Sequence, residues 1–296
     1  MNLTSLQQHR LSIFCLLFAA SMWGFIWYPM RLFEAAGLPV VWTTLLIYLS
    51  AALMHLPQAL RQRWRGHPLP LDLLWLALAA GVTNLAFLVA LIEGEVMRVM
   101  LLFYLAPLWS VILGRWWLGE TLSKGASALL LLAMAGTLIM LWQPAIGLPW
   151  PHGLADWLAL FAGIMFAVNN VLSRKLADVP MHIKTTVVYW GVVIVALVVI
   201  MSRGSSLPDV ALSVSLLAII FGGLAIVAMT VAVLYGLARL PVYHAAIIML
   251  FELIVAAVSA WLLTDETMRA ADWLGGVLII IAAYGVARIE RFRSQL

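Results

Sequence analysis

Only 10 % of the 296 residues are charged, and cysteine occurs once, as Cys15. A single thiol excludes an intramolecular disulfide and any cysteine-built metal site. The motifs of catalysis are missing too: there is no His-Glu-x-x-His zinc pair, no phosphate-cradling glycine-rich loop and no nucleophile elbow. The six histidines, His9, His55, His67, His152, His182 and His244, follow no metal-ligand spacing. No cofactor, no metal and no enzymatic activity are therefore expected. The net charge of +4 is too small and too scattered for a nucleic-acid partner. Nothing resembles the selectivity filter of an ion channel.

What the chain has instead is apolar length, with 65 % hydrophobic residues and a mean hydropathy of +1.06. No soluble core needs that much, so the lipid bilayer is the expected surroundings. Apolar runs bounded by Gly, Pro and charge predict ten helices, over 11–33, 39–57, 71–92, 96–118, 124–142, 155–174, 183–201, 211–235, 242–263 and 271–288. The first is too long for a signal-peptide core and has no convincing cleavage site, so it is kept as a span. Alternating the ten across a bilayer with both termini in the cytoplasm leaves only Arg31, Arg98, Arg203 and Arg269 outside, from 17 Lys and Arg in all. That bias satisfies the positive-inside rule and predicts a prokaryotic inner-membrane protein.

The chain also repeats itself. Trp23-Gly24-Phe25-Ile26-Trp27-Tyr28-Pro29-Met30-Arg31-Leu32 lies 143 residues before Phe166-Ala167-Val168-Asn169-Asn170-Val171-Leu172-Ser173-Arg174-Lys175. Leu118-Gly119-Glu120-Thr121 is echoed by Thr264-Asp265-Glu266-Thr267. Five spans per half is an odd number, so the second half enters the bilayer from the opposite side. The expected fold is an all-α polytopic membrane protein whose ten transmembrane helices form two inverted five-helix repeats, 1–148 and 149–296, with a cavity between them.

These repeats, the Trp23-Gly24 start and the pattern Ala106-Pro107 followed by Leu118-Gly119-Glu120 resemble the drug/metabolite transporter superfamily, EamA type, over essentially the whole chain. The aromatic-amino-acid exporter branch is the nearest resemblance. It implies export of small metabolites, amino acids or their analogues foremost, by proton-coupled or facilitated alternating access. A multidrug or quaternary-ammonium exporter is the alternative. One departure stands out: where the family's second repeat usually has Glu-Pro, this chain has Glu252-Leu253, which puts the expected helix kink in question.

Glu252 is the sharpest candidate, because an ionised acid at mid-span costs at least roughly 2.5 to 3.5 kcal/mol and so must face protein or water. His244 and Ile248 fall close to the same side of a continuous helix, giving a proton-sensitive or amine-binding face, or else a packing contact made by a neutral acid. Aligning Ala106 with Glu252 pairs Arg98 with His244 at opposite membrane faces. Arg98 then either gates, or snorkels and pairs with Glu93 or Glu95. Asn84, Asn169 and Asn170 place amides inside spans, where they bind substrate or bridge helices. Trp23, Tyr104, Trp109, Tyr189 and Trp190 lie deep enough to line a pocket and offer ring faces to an amine. Trp116, Trp117, Trp142, Trp150 and Trp157 read as interfacial belt residues. Gly222-Gly223 and Gly275-Gly276 allow close helix approach, while Pro29 and Pro107 interrupt the backbone ladder as candidate gates. Spans 3, 4, 8 and 9 are the expected cavity wall, with spans 1 and 6 rocking.

Overall fold

The computed structural model describes residues 5–61, 70–94, 96–142, 150–263 and 268–293. Glu95, His67, the arginines at 63 and 65 and the second repeat copy Thr264 to Thr267 lie outside the described residues. Among the described residues ten helical segments are long and apolar enough to cross a bilayer. Spans 1 to 5 are Leu6–Ala35, Val40–Pro57, Asp72–Ala90, Arg98–Leu118 and Lys124–Leu141. Spans 6 to 10 are Leu154–Lys175, Met181–Ser202, Leu212–Leu237, Val242–Leu263 and Ala270–Arg288. All ten expected spans are present, with boundaries shifted by at most a few residues except at the start of span 1.

The way the spans pack carries the internal symmetry. Span 1 packs on spans 8 and 9, and span 6 on spans 3 and 4; span 2 packs on spans 7 and 8, and span 3 on span 7 as well; span 5 packs on span 10. Exchanging span 1 with 6, 2 with 7, 3 with 8, 4 with 9 and 5 with 10 maps these contacts onto one another. The two halves are thus built on one plan and packed face to face, with an odd number of crossings in each.

Glycines set the closest approaches. A Cβ on Gly136 in span 5 would stand 2.7 Å from the Gly275 carbonyl in span 10, and one on Gly191 in span 7 would overlap the Ala77 backbone in span 3. Without a hydrophobic force between helices in lipid, such backbone contact supplies the van der Waals attraction that holds spans together. Gly222 meets the Ile47 backbone of span 2 in the same way, at the start of a π-helical turn, Gly222–Ile226, inside span 8.

Three spans are broken. Span 1 divides at Ile26 into Ser5–Phe25 and Trp27–Ala35. Span 4 divides at Tyr104 and Leu105 into Val96–Phe103 and Ala106–Leu118. Pro29 and Pro107 explain these two, since a proline lacks the N–H that would bond the carbonyl four residues back, here Phe25 and Phe103. Span 9 divides as well, at Leu250, into Val242–Met249 and Phe251–Leu263. The absence of a proline at 253 therefore does not remove the interruption. Span 1 packs just beyond it, with Gly24 pressed against the Glu252 carbonyl and Val255.

The belt tryptophans Trp116, Trp117, Trp142, Trp150 and Trp157 are all exposed at span ends. Their amphipathic rings suit the headgroup level.

Candidate functional site

The breaks in spans 4 and 9 face each other across a small pocket. Phe103, Tyr104, Ala106 and Pro107 line it from span 4, Ala246, Met249, Leu250 and Glu252 from span 9, and Phe166 from span 6. About 10 Å³ is open to the centre of a water molecule. That is room for about one water, too little for a metabolite. Spans 4 and 9 meet the expected wall, span 6 joins them, and none of the lining residues comes from span 3 or 8.

The wall is aromatic with one acid. Phe103 lies 4.4 Å from Phe87, 5.4 Å from Tyr104 and 5.6 Å from Phe166 between ring centroids, which fixes the three lining rings as one cluster. Glu252 is half-buried, and the Tyr104 hydroxyl is in side-chain contact with its carboxyl. Glu252 and Tyr104 occupy non-equivalent positions of the two repeats, so the polar part of the site breaks the symmetry that the backbone keeps. No lysine, arginine or histidine is among the lining residues.

The other candidates are distributed as follows. Asn169 lies one helical turn beyond Phe166 on the same side of span 6, and its Oδ1 is buried without a hydrogen-bond partner. Asn170, beside it, is buried. Asn84 bridges spans 2 and 3: it accepts from the Tyr48 hydroxyl at 3.1 Å and donates to the Ala80 carbonyl of its own helix at 2.9 Å. Tyr189 is fully buried in the core between spans 2, 3 and 7, edge-on to His55 at 5.5 Å, with half-buried Trp190 packed against the same core. Trp23 is half-buried between two core clusters, and the indole N–H of half-buried Trp109 is buried without a partner. Trp27 donates its indole N–H to Ser259 at 3.0 Å, fastening the half-helix that contains Pro29 to span 9.

His244 is separated from Glu252. The break at Leu250 interrupts their common face, and His244, 1 % exposed, belongs instead to a charged group at the far end of its half-helix. There Glu120, just beyond span 4, accepts the Val242 backbone N–H at 2.9 Å and pairs with Arg174 at 3.6 Å. Arg174 also donates to the Ala238 carbonyl at 2.7 Å. Burial pushes the Glu120 carboxyl up from its ordinary value, against the lowering effects of Val242, Arg174 and His244. Beside this group Lys175 pairs with Asp72 at 2.8 Å.

Arg98 neither snorkels nor pairs with Glu93. It is buried and bonded to Asp156 of span 6 at 2.6 Å, and it donates to the Trp150 carbonyl as well. The Asp156 carboxylate also accepts the His152 backbone N–H at 2.9 Å. Glu93 pairs with Arg203 at 2.7 Å. At each end of the bundle, ion pairs thus join the first half of the chain to the second.

A broken-helix pair meeting at an acid and a set of rings, inside two five-span halves, is the arrangement of a carrier. The family model for the EamA-like transporter family matches residues 10–142 and again 153–288. The chain belongs to that family. No curated protein matches it. A solved structure, described as a crystal structure of a protein, is similar over 93 % of this chain and 97 % of its own, at 19 % identity and a TM-score of 0.74. At that identity the likeness establishes the fold. As an EamA-like transporter, the protein is an integral membrane carrier of small molecules.

The sequence pointed to Glu252, Tyr104 and Pro107, which the fold brings together. It did not single out Phe103, Phe166 and Met249, which read as ordinary apolar residues, although Phe166 is the repeat counterpart of Trp23. Asp156, Glu120 and Arg174 were also passed over as sites. For the last two a signal existed, since both stand inside repeated strings.

Proposed function

We propose that this transporter exports amino acids with an apolar or aromatic side chain, as in the aromatic-amino-acid exporter branch of its family. The observation that carries the reading is Glu252 in an aromatic cavity at the meeting point of the two broken spans. The carboxylate takes the substrate's ammonium, Phe103 and Phe166 offer ring faces to the same cation and to the apolar side chain, and the Asn169 amide, one turn away, takes the carboxylate. Because the pocket holds about one water, rocking of the repeats 1–148 and 149–296 about it makes room for substrate. Proton coupling through Glu252 completes the proposal.

Proteoliposomes containing the protein are expected to equilibrate labelled neutral amino acids faster than empty vesicles, with competition by unlabelled phenylalanine or leucine. A second reading, export of hydrophobic or quaternary-ammonium cations, is favoured by the lack of a basic lining residue to meet a substrate carboxylate. Robust transport of such cations with no acceleration across an amino-acid panel selects it over the first.

The charge bias orients the carrier. We place both termini in the cytoplasm of a prokaryotic cell, so that the Glu120 end is cytoplasmic and the Arg98 end faces out. A phosphatase fused after Leu296 is expected to be inactive, and a fluorescent protein fused there to glow. A fusion that is active only in the periplasm overturns this orientation.

A further inference from the structure

We propose that Glu120 is a positioning residue for transport, a latch through which the first half of the chain holds the pocket-forming half-helix Val242–Met249 of the second half and keeps the Glu120 end shut. The repeated Leu-Gly-Glu string has no part in the cavity itself, yet its geometry is specific. Span 4 ends in a left-handed Gly119, φ 67°, whose N–H bonds the Arg115 carbonyl while the Glu120 N–H bonds that of Gly114. This closing turn satisfies the last carbonyls of the helix and throws the Glu120 side chain back along it. Gly114 leaves room: a Cβ there would stand 3.6 Å from Glu120 Oε2 and 3.8 Å from Val242 Cβ.

Among the described residues, the hydrogen-bonding and charged groups that act on the carboxylate belong to the second half. One oxygen accepts the Val242 N–H, the first of the half-helix, where an anion also suits the helix dipole. The other faces the Arg174 guanidinium, which in turn holds the Ala238 carbonyl just before that half-helix. His244 on the half-helix itself is the remaining charged or titratable group acting on the acid among the described residues.

The half-helix then links this end to the cavity. It is 8 residues long, about 12 Å at helical rise, and its far end supplies Ala246, Met249 and, at the break, Leu250 to the wall. With its first turn pinned by Glu120 and its last turn ending at the break, it moves as one body only when the carboxylate lets go. Opening of this end and rearrangement of the wall are thereby one event.

The test reads access to the cavity without any substrate, so it stands or falls apart from the amino-acid assignment. In the full chain carrying Cys15→Ser and Ala246→Cys, a charged, membrane-impermeant thiol reagent is applied to sealed vesicles of each orientation. With Glu120 intact, labelling from the Glu120 end is slow. Glu120→Gln is expected to accelerate labelling from that end at least 5-fold while leaving labelling from the Arg98 end unchanged or slower. Arg174→Gln removes the same pair from the other side and gives the same sided change, which covers the case in which Glu120→Gln does not fold. Restoration of slow labelling by Glu120→Asp but not by Glu120→Ala marks the carboxylate as the cause. Unchanged labelling in both Gln variants, or an equal increase from both ends, overturns the latch and leaves Glu120 as a packing residue.

Discussion

Transport by a Glu252→Gln protein is expected to fall about 10- to 150-fold, the loss that follows from removing one charged hydrogen-bond partner worth roughly 1.5 to 3 kcal/mol. Gln keeps the volume of the side chain and an acceptor for the Tyr104 hydroxyl, so the aromatic wall and the helix break stay as they are. What it cannot supply is the negative charge that meets the substrate's ammonium. The pH profile separates this from a packing role. On one carboxyl a proton and an ammonium compete, so wild-type uptake at low substrate concentration rises with pH as the proton leaves. The Gln protein has nothing to titrate there and its profile is flat. Glu252→Ala removes both charge and shape and is expected to lower thermal stability in addition. Wild-type rates with the wild-type pH profile in a well-folded Glu252→Gln protein would sink the assignment, and Asn169 with the aromatic rings would then be the place to look.

How much of this was legible in the sequence depends on the range of the force involved. The ten spans were, because a bilayer imposes one demand on every crossing: about 20 apolar residues with all backbone groups bonded internally. The break in span 4 was legible through Pro107, since the missing N–H acts within one turn. The break at Leu250 was not, because nothing in its own turn forces it. It coincides with the approach of Gly24 from a span more than 200 residues earlier. His244 and Glu252 show the consequence. Their shared face follows from helical periodicity only if the helix is continuous, and it is not.

Charged residues divide in the same way. Glu252 announces itself because an acid at mid-span has few places to go. Glu120 was visible as part of a repeated string, but its partners Arg174 and Val242 are set by how the halves dock. Arg98 had nearby acids in sequence, Glu93 and Glu95, which made a local exposed pair the natural expectation. The fold buries it against an aspartate 58 residues away and pairs Glu93 with Arg203. Local sequence fixes which residues carry charge; only the packing of span 4 on span 6 fixes which charges meet.

That buried pair has the second large effect, on stability. Arg98 and Asp156 have side chains 9 % and 8 % exposed, so neither charge has water to fall back on. Asp156→Asn removes the Asp156 charge from beside a buried guanidinium and is expected to cost about 3 to 5 kcal/mol, as removal of one partner from a buried pair does. Arg98→Met is expected to be nearly as costly, for it strands the Asp156 carboxylate and frees the Trp150 carbonyl. Replacing both, Arg98→Met with Asp156→Leu, removes the stranded charge and recovers most of the loss, because two desolvated ions are exchanged for apolar volume. Thermal unfolding of the detergent-solubilised protein, read as a double-mutant cycle, checks the coupling. Single-variant losses below 1 kcal/mol, or a double variant no more stable than the worse single one, would show that the pair is effectively solvated. Transport adds a separate readout. The pair joins the two halves at the end opposite Glu120, so the stable double variant is expected to admit a thiol reagent to a cysteine at Ala246 faster from the Arg98 end, a sided change that a purely structural role would not produce.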